Sequence, residues 1–66
     1  MRIFIDNLLR LRAEKGITQE ELGLKCDMAS SEISRFECGR REPRLHTMVR
    51  LARGLEVEPM ELLRTD

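Results

Sequence analysis

The chain is 66 residues long, with 12 basic and 12 acidic groups and a formal net charge of zero. A chain this short buries only about 60% of its unfolded surface, so it forms one modest core and leaves little surface for a catalytic pocket. No nucleophile, base and orienting group occur together, which argues against an enzyme and for a binding module.

Ile5, Leu8, Leu9, Leu11 and Ala13 predict an amphipathic first helix, starting at about Ile3 or Asp6, running to Lys15 and stopping at Gly16. Thr18 and Glu21 have the spacing of a capping box, in which each side chain satisfies a backbone donor of the other, so a second helix begins here. Its apolar stripe is Leu22 and Cys26, and Gly23 within it implies close approach of the following helix. Asp27, Met28 and Ala29 interrupt the pattern. Asp27 tolerates a left-handed backbone, and Met28 is expected to point inward. Ser30 or Ser31 caps a third helix carrying Ile33 and Phe36 inward, with Gly39 at its end. Residues 18–39 thus read as helix, turn, helix.

Leu45, Met48, Val49, Leu51, Ala52 and Leu55 predict the inner face of a fourth helix, with Arg50 and Arg53 outside. Pro59 opens a short fifth helix, with Glu58 and Glu61 near its start. Leu62 is expected to close the core. Met60 and Leu63 are core by default, but so short a helix leaves one of them exposed.

The neutral total hides a division. Residues 1–34 sum to −1, residues 35–53 to +4 and residues 54–66 to −3. The positive block starts at the end of the third helix and continues through the next loop, where phosphates would be met, and the acidic end is expected on the far side. Cys26 and Cys38 lack metal-type spacing and His46 stands alone, so no metal or other cofactor is expected. Reduced thiols are the preferred reading over a redox switch at Cys38. No signal peptide, membrane-length apolar run, repeat or linker is visible, which predicts a single cytoplasmic domain over 1–66 without membrane association.

Three blocks, LLRLRAEKGITQEEL, EISRFECGRREP and LARGLEVEPMELL, occur in an order and spacing that resembles the Cro/phage-repressor (XRE) type of helix-turn-helix domain, over about Ile3 to Leu63. The resemblance implies an all-α fold, a compact five-helix bundle of the lambda-repressor-like kind. It also implies sequence-specific binding to a palindromic double-stranded DNA operator as a homodimer. The chain departs from the family pattern at Asp27 (a turn glycine), Ala29 (a serine or threonine), Arg44 (a helix cap) and Glu56 (a glycine).

Carried over residue by residue, the resemblance puts Ser30, Ser31, Ser34 and Arg35, on a recognition helix of about 30–38, at the base edges. Arg35 is the strongest candidate because its guanidinium can bond guanine O6 and N7 together. Glu32 ranks lower and is expected to be solvated or paired with Arg35. Gln19, first in the second helix, would meet a phosphate and brace the recognition helix. Arg40, Arg41 and Arg44 around Pro43 are further phosphate candidates, with Arg44 suited to a narrowed minor groove. The resemblance pairs Arg12 with Glu37 in a structural salt bridge, and an apolar patch at Met60 and Leu63 would be the two-fold interface.

The leading expectation is therefore a homodimeric DNA-binding transcriptional regulator, like short phage repressors or the controller proteins of restriction-modification systems. The alternative is an antitoxin that binds a toxin protein and autoregulates its operon. A protein partner would be a toxin or the transcription machinery. The short tail beyond Leu63 counts against wrapping a toxin.

Overall fold

The computed structural model describes residues 2–65. Asp66, counted in the acidic end above, and Met1 lie outside the described residues. Four α-helices follow in order: α1 (Arg2–Lys15), α2 (Gln19–Cys26), α3 (Ser30–Glu37) and α4 (Leu45–Leu55). The expected fifth helix is a 3₁₀ helix, Pro59–Leu63. Its five residues open with a proline that donates no hydrogen bond, and its Glu61 amide bonds Glu58 O in the tighter i→i+3 pattern at 2.9 Å. No strand occurs among the described residues, and none of their helices is long and apolar enough to cross a membrane.

The buried face of α1 is Phe4, Asn7, Leu8 and Leu11, spaced i, i+3, i+4, i+7 as a 3.6-residue period requires. Two residues assigned to that face fall outside it: Leu9 is 41% exposed and Ala13 is exposed, while Ile5 is half-buried. Phe4 meets Phe36 of α3 edge-to-face, centroids 6.1 Å apart. On α4 the stripe is Met48, Leu51, Ala52 and Leu55. Leu45, expected inside, precedes that stripe in the first turn and is 77% exposed.

α2 packs closely against both α3 and α4 because glycines stand at the crossings. A Cβ on Gly23 would lie 2.5 Å from the Met28 carbonyl oxygen. One on Gly54 would lie 2.4 Å from Cys26 Sγ. The first contact is with the turn entering α3, and the second ties α4 to the end of α2.

The 3₁₀ helix packs on α1 and α4, away from the helix-turn-helix. Leu62 is fully buried there, as expected. The Asn7 side chain fastens the segment by donating from Nδ2 to Leu62 O at 3.1 Å and to Arg64 O at 2.8 Å, while its Oδ1 accepts from Arg10 Nη2 at 3.1 Å. A buried amide with its bonds satisfied in this way locks the chain end to α1.

Candidate nucleic-acid interface

α2 starts on a complete capping box. Thr18 Oγ1 accepts from the Glu21 amide at 3.0 Å and Glu21 Oε1 accepts from the Thr18 amide at 2.8 Å. It ends at Asp27, whose φ of 58° and ψ of 48° put a non-glycine residue in the left-handed region, with the side chain exposed. Met28, half-buried, packs onto the core from the turn.

The start of α3 differs from expectation. Its N-cap is Ala29, so Ser30 and Ser31 are its first two helical residues and neither is the cap. Alanine offers no side-chain acceptor. Glu32 supplies one from the other direction, with Oε1 accepting from the Ala29 amide at 3.1 Å. The far end closes with a Schellman arrangement: the Arg40 amide bonds Arg35 O at 2.9 Å, the Gly39 amide bonds Phe36 O at 3.1 Å, and Gly39 has φ 75°.

With Ile33 and Phe36 buried, Ser31 and Arg35 of α3 are exposed and Ser30 and Ser34 half-buried. None of these four side chains has a hydrogen-bond or ion-pair partner among the described residues. Glu32 is not paired with Arg35, since its Oε1 is taken by the helix start and its Oε2 lies 4.0 Å from Arg41 Nη1.

The other flank of α3 is occupied. Glu37, with a side chain only 5% exposed, accepts from Arg12 Nε at 2.7 Å, from Arg12 Nη2 at 3.0 Å and from Gln19 Nε2 at 2.8 Å. Arg12 Nη1 also donates to Ile17 O at 3.1 Å. The bond to Glu37 raises the Arg12 pKa above its ordinary value despite the opposing effect of burial. Arg12 and Glu37 are thus brought together in a bidentate pair, and Gln19 braces α3 through the same carboxylate.

Beyond α3, Arg40, Arg41 and Arg44 are all exposed. Arg41 sits 6.0 Å above the Phe36 ring centroid, so it is docked on the flank of α3, whereas the Arg40 and Arg44 side chains have no partner among the described residues. A polar cleft between α3 and the start of α4 is lined by Glu32, Arg41, Arg44, His46, Thr47 and Arg50. Arg50, assigned to the outer face of α4, is half-buried. It reaches back to the turn, donating to Cys26 O from Nε at 3.2 Å and Nη2 at 2.8 Å, and to Asp27 O from Nη2 at 2.6 Å.

On the opposite side Met60 and Leu63 are 80% and 54% exposed, and Leu63 lines a hollow with Arg2, Phe4 and the exposed Ile3 of α1. Cys26 is buried and Cys38 exposed, both as free thiols.

Sequence reasoning missed Asn7 and Arg50. Asn7 carried a signal, a polar residue inside the i, i+3, i+4, i+7 stripe of α1. Arg50 carried none, because an arginine on the polar side of a helix looks the same whether solvated or clamped.

A family model described as helix-turn-helix matches residues 8–62. The chain is 42% identical over 57 residues to an uncharacterised HTH-type transcriptional regulator, y4dJ, from Sinorhizobium fredii, spanning 86% of this chain and 74% of that one. Its fold is similar to the crystal structure of the restriction-modification controller protein C.AhdI from Aeromonas hydrophila, with a TM-score of 0.86 and 36% identity over 89% of this chain and 86% of that one.

Proposed function

The chain belongs to the helix-turn-helix family of the Cro/phage-repressor (XRE) type, and from that premise we propose that it is a transcriptional regulator that binds a palindromic DNA operator as a homodimer. The observation that carries this reading is the division of α3. One flank is locked by Glu37 and Phe36, and the other offers Ser30, Ser31, Ser34 and Arg35 with no side-chain partner among the described residues. That outer face enters the major groove. Arg35 donates a forked pair to guanine, and the serines make the adaptable contacts around it.

Anchoring falls to groups on either side of the groove. Arg40, Arg41 and Arg44 meet phosphates from the loop. Gln19 adds the N–H left over from its bond to Glu37, beside the free amides at the start of α2. Met60 and Leu63, with the neighbouring Ile3, form the two-fold contact, which sets two recognition helices about 34 Å apart, one DNA turn. Regulation follows from occupancy of an operator that overlaps or adjoins a promoter. The names of the relatives, a transcriptional regulator and a controller protein, support the same reading.

Selection of bound sequences from a random duplex pool at near-physiological salt, followed by sizing of the complex, tests it. The expected outcome is a palindrome with half-sites about one turn apart holding two chains. Recovery of no motif, with only weak salt-sensitive binding, would overturn it.

A further inference from the structure

We infer that Arg50 is a positioning residue for operator reading: from α4 it sets the angle at which α3 leaves α2, and so where Ser30 and Ser31 stand in the groove, without touching DNA. The inference rests on the DNA-binding reading above.

The carbonyls of Cys26 and Asp27 end α2 and enter the turn. Carbonyls at a helix C-terminus lack intrahelical donors and carry the negative end of the helix dipole. Arg50 answers both needs. Its three N–H···O contacts, at 3.2, 2.8 and 2.6 Å, span the last carbonyl of α2 and the first of the turn. This turn has no glycine, and its left-handed residue is Asp27, so a restraint from outside the turn takes on weight. Ala29 provides no side-chain cap on the other side of it. The recognition helix is thereby fixed by arginines from two other helices, Arg12 at its C-terminal end and Arg50 behind its entrance.

Arg50 also lines the polar cleft with Arg41, Arg44 and His46, where it could be mistaken for a phosphate ligand. Its Nε and Nη2 are already directed at main-chain oxygens. The guanidinium holds Cys26 O with both Nε and Nη2 while Nη2 also reaches Asp27 O, and a single lysine nitrogen on a flexible stem keeps the charge but not this rigid two-nitrogen grip.

The test compares the wild-type chain with Arg50→Lys and Arg50→Met, the lysine variant retaining stem and charge so that the fold survives. Affinities for the selected operator and a scrambled duplex are measured across salt concentrations, with hydrogen exchange at the Met28 and Ile33 amides. Arg50→Lys should bind the operator about tenfold more weakly, change the scrambled duplex by less than about twofold, and leave the salt slope unaltered. Exchange at Met28 and Ile33 should quicken. Equal losses on both duplexes with a salt slope lower by about one would make Arg50 a phosphate ligand and overturn the inference. So would unchanged operator affinity and unchanged exchange. If the wild-type chain selects no duplex, the DNA-binding reading falls, while the exchange comparison still decides whether Arg50 fixes the turn.

Discussion

The two ends of α3 are built on opposite plans. At the C-terminal end Glu37 spends its carboxylate on Arg12 and Gln19, Phe36 fills the core against Phe4, and Gly39 closes the helix in a Schellman turn. At the N-terminal end Ala29 cannot cap, and Ser30 and Ser31 keep their hydroxyls unspent. The DNA-reading role proposed for α3 needs a fixed pitch and free polar groups, and the two requirements are met by different parts of the helix. The end that positions is satisfied internally. The part proposed to read is left with capacity for outside partners.

The largest expected effect lies at the positioning end. Glu37→Ala strands the Arg12 guanidinium in a partly buried site and should cost about 3 to 5 kcal/mol in urea unfolding, a large share of the stability of so small a domain. Glu32→Ala also removes an Arg–Glu contact of α3, but that pair is exposed at 4.0 Å, so the loss comes mainly from the bond to the Ala29 amide at the helix start and should stay at about 1 kcal/mol. Similar losses from both would erase the distinction between the two ends.

On the outer face of α3, which includes Arg35 in its last turn, the effect should appear in DNA binding and not in folding. Arg35→Ala should weaken the selected operator by roughly 1 to 3 kcal/mol and relax preference at one base position, with the unfolding midpoint unchanged. Arg41→Ala should weaken all duplexes alike and lower the salt slope by about one, since it loses a phosphate and no base. Arg41 is the sharper comparison, because it already contacts α3 through Phe36 and Glu32 and still has a side chain about half exposed.

Much of this plan was legible in the residues. The capping box at Thr18 and Glu21, the inward pair Ile33 and Phe36, and the stop at Gly39 all follow from local chemistry. The family resemblance supplied the pairing of Arg12 with Glu37 across 25 residues. Other features were hidden because they depend on tertiary neighbours. That Ala29, and neither Ser30 nor Ser31, is the cap depends on where the Gly23 contact places Met28, and the role of Arg50 depends on two carbonyls far away in sequence. Leu9 and Leu45 were misplaced because a hydrophobic residue beside a stripe looks like part of it until the helix phase is fixed by burial.

A smaller effect would show whether the open end tolerates closure. Ala29→Ser places a hydroxyl where it can accept from the amides of the first turn, and should stabilise the fold by about 0.5 to 1 kcal/mol, a few degrees in Tm. Operator affinity should be unchanged, because the added hydroxyl is satisfied by the helix itself. A gain in stability accompanied by a loss in operator binding would show that the uncapped start is itself part of the reading surface.

The smallest effect concerns the two thiols that bracket α3. Burial pushes the Cys26 pKa above its ordinary value, with the charge of Arg50 and a bond from the Gly54 backbone working against that shift. The sign follows from linkage. The folded chain keeps the Cys26 proton after the unfolded chain has released it, so the stability it contributes is complete below the ordinary thiol range and declines as pH rises through that range toward the raised folded value. Arg12 also has a raised value, but a guanidinium stays charged throughout this interval, so the clamp at Glu37 does not titrate with it. Unfolding midpoints measured from neutral to mildly alkaline pH should therefore fall more in the wild-type chain than in Cys26→Ala. Alkylation at neutral pH should modify the exposed Cys38 at once and Cys26 only as the fold opens. Equal labelling rates would mean that the end of α2 opens independently of the core, and the turn that aims α3 would then be far looser than the contacts of Arg50 and Gly54 imply.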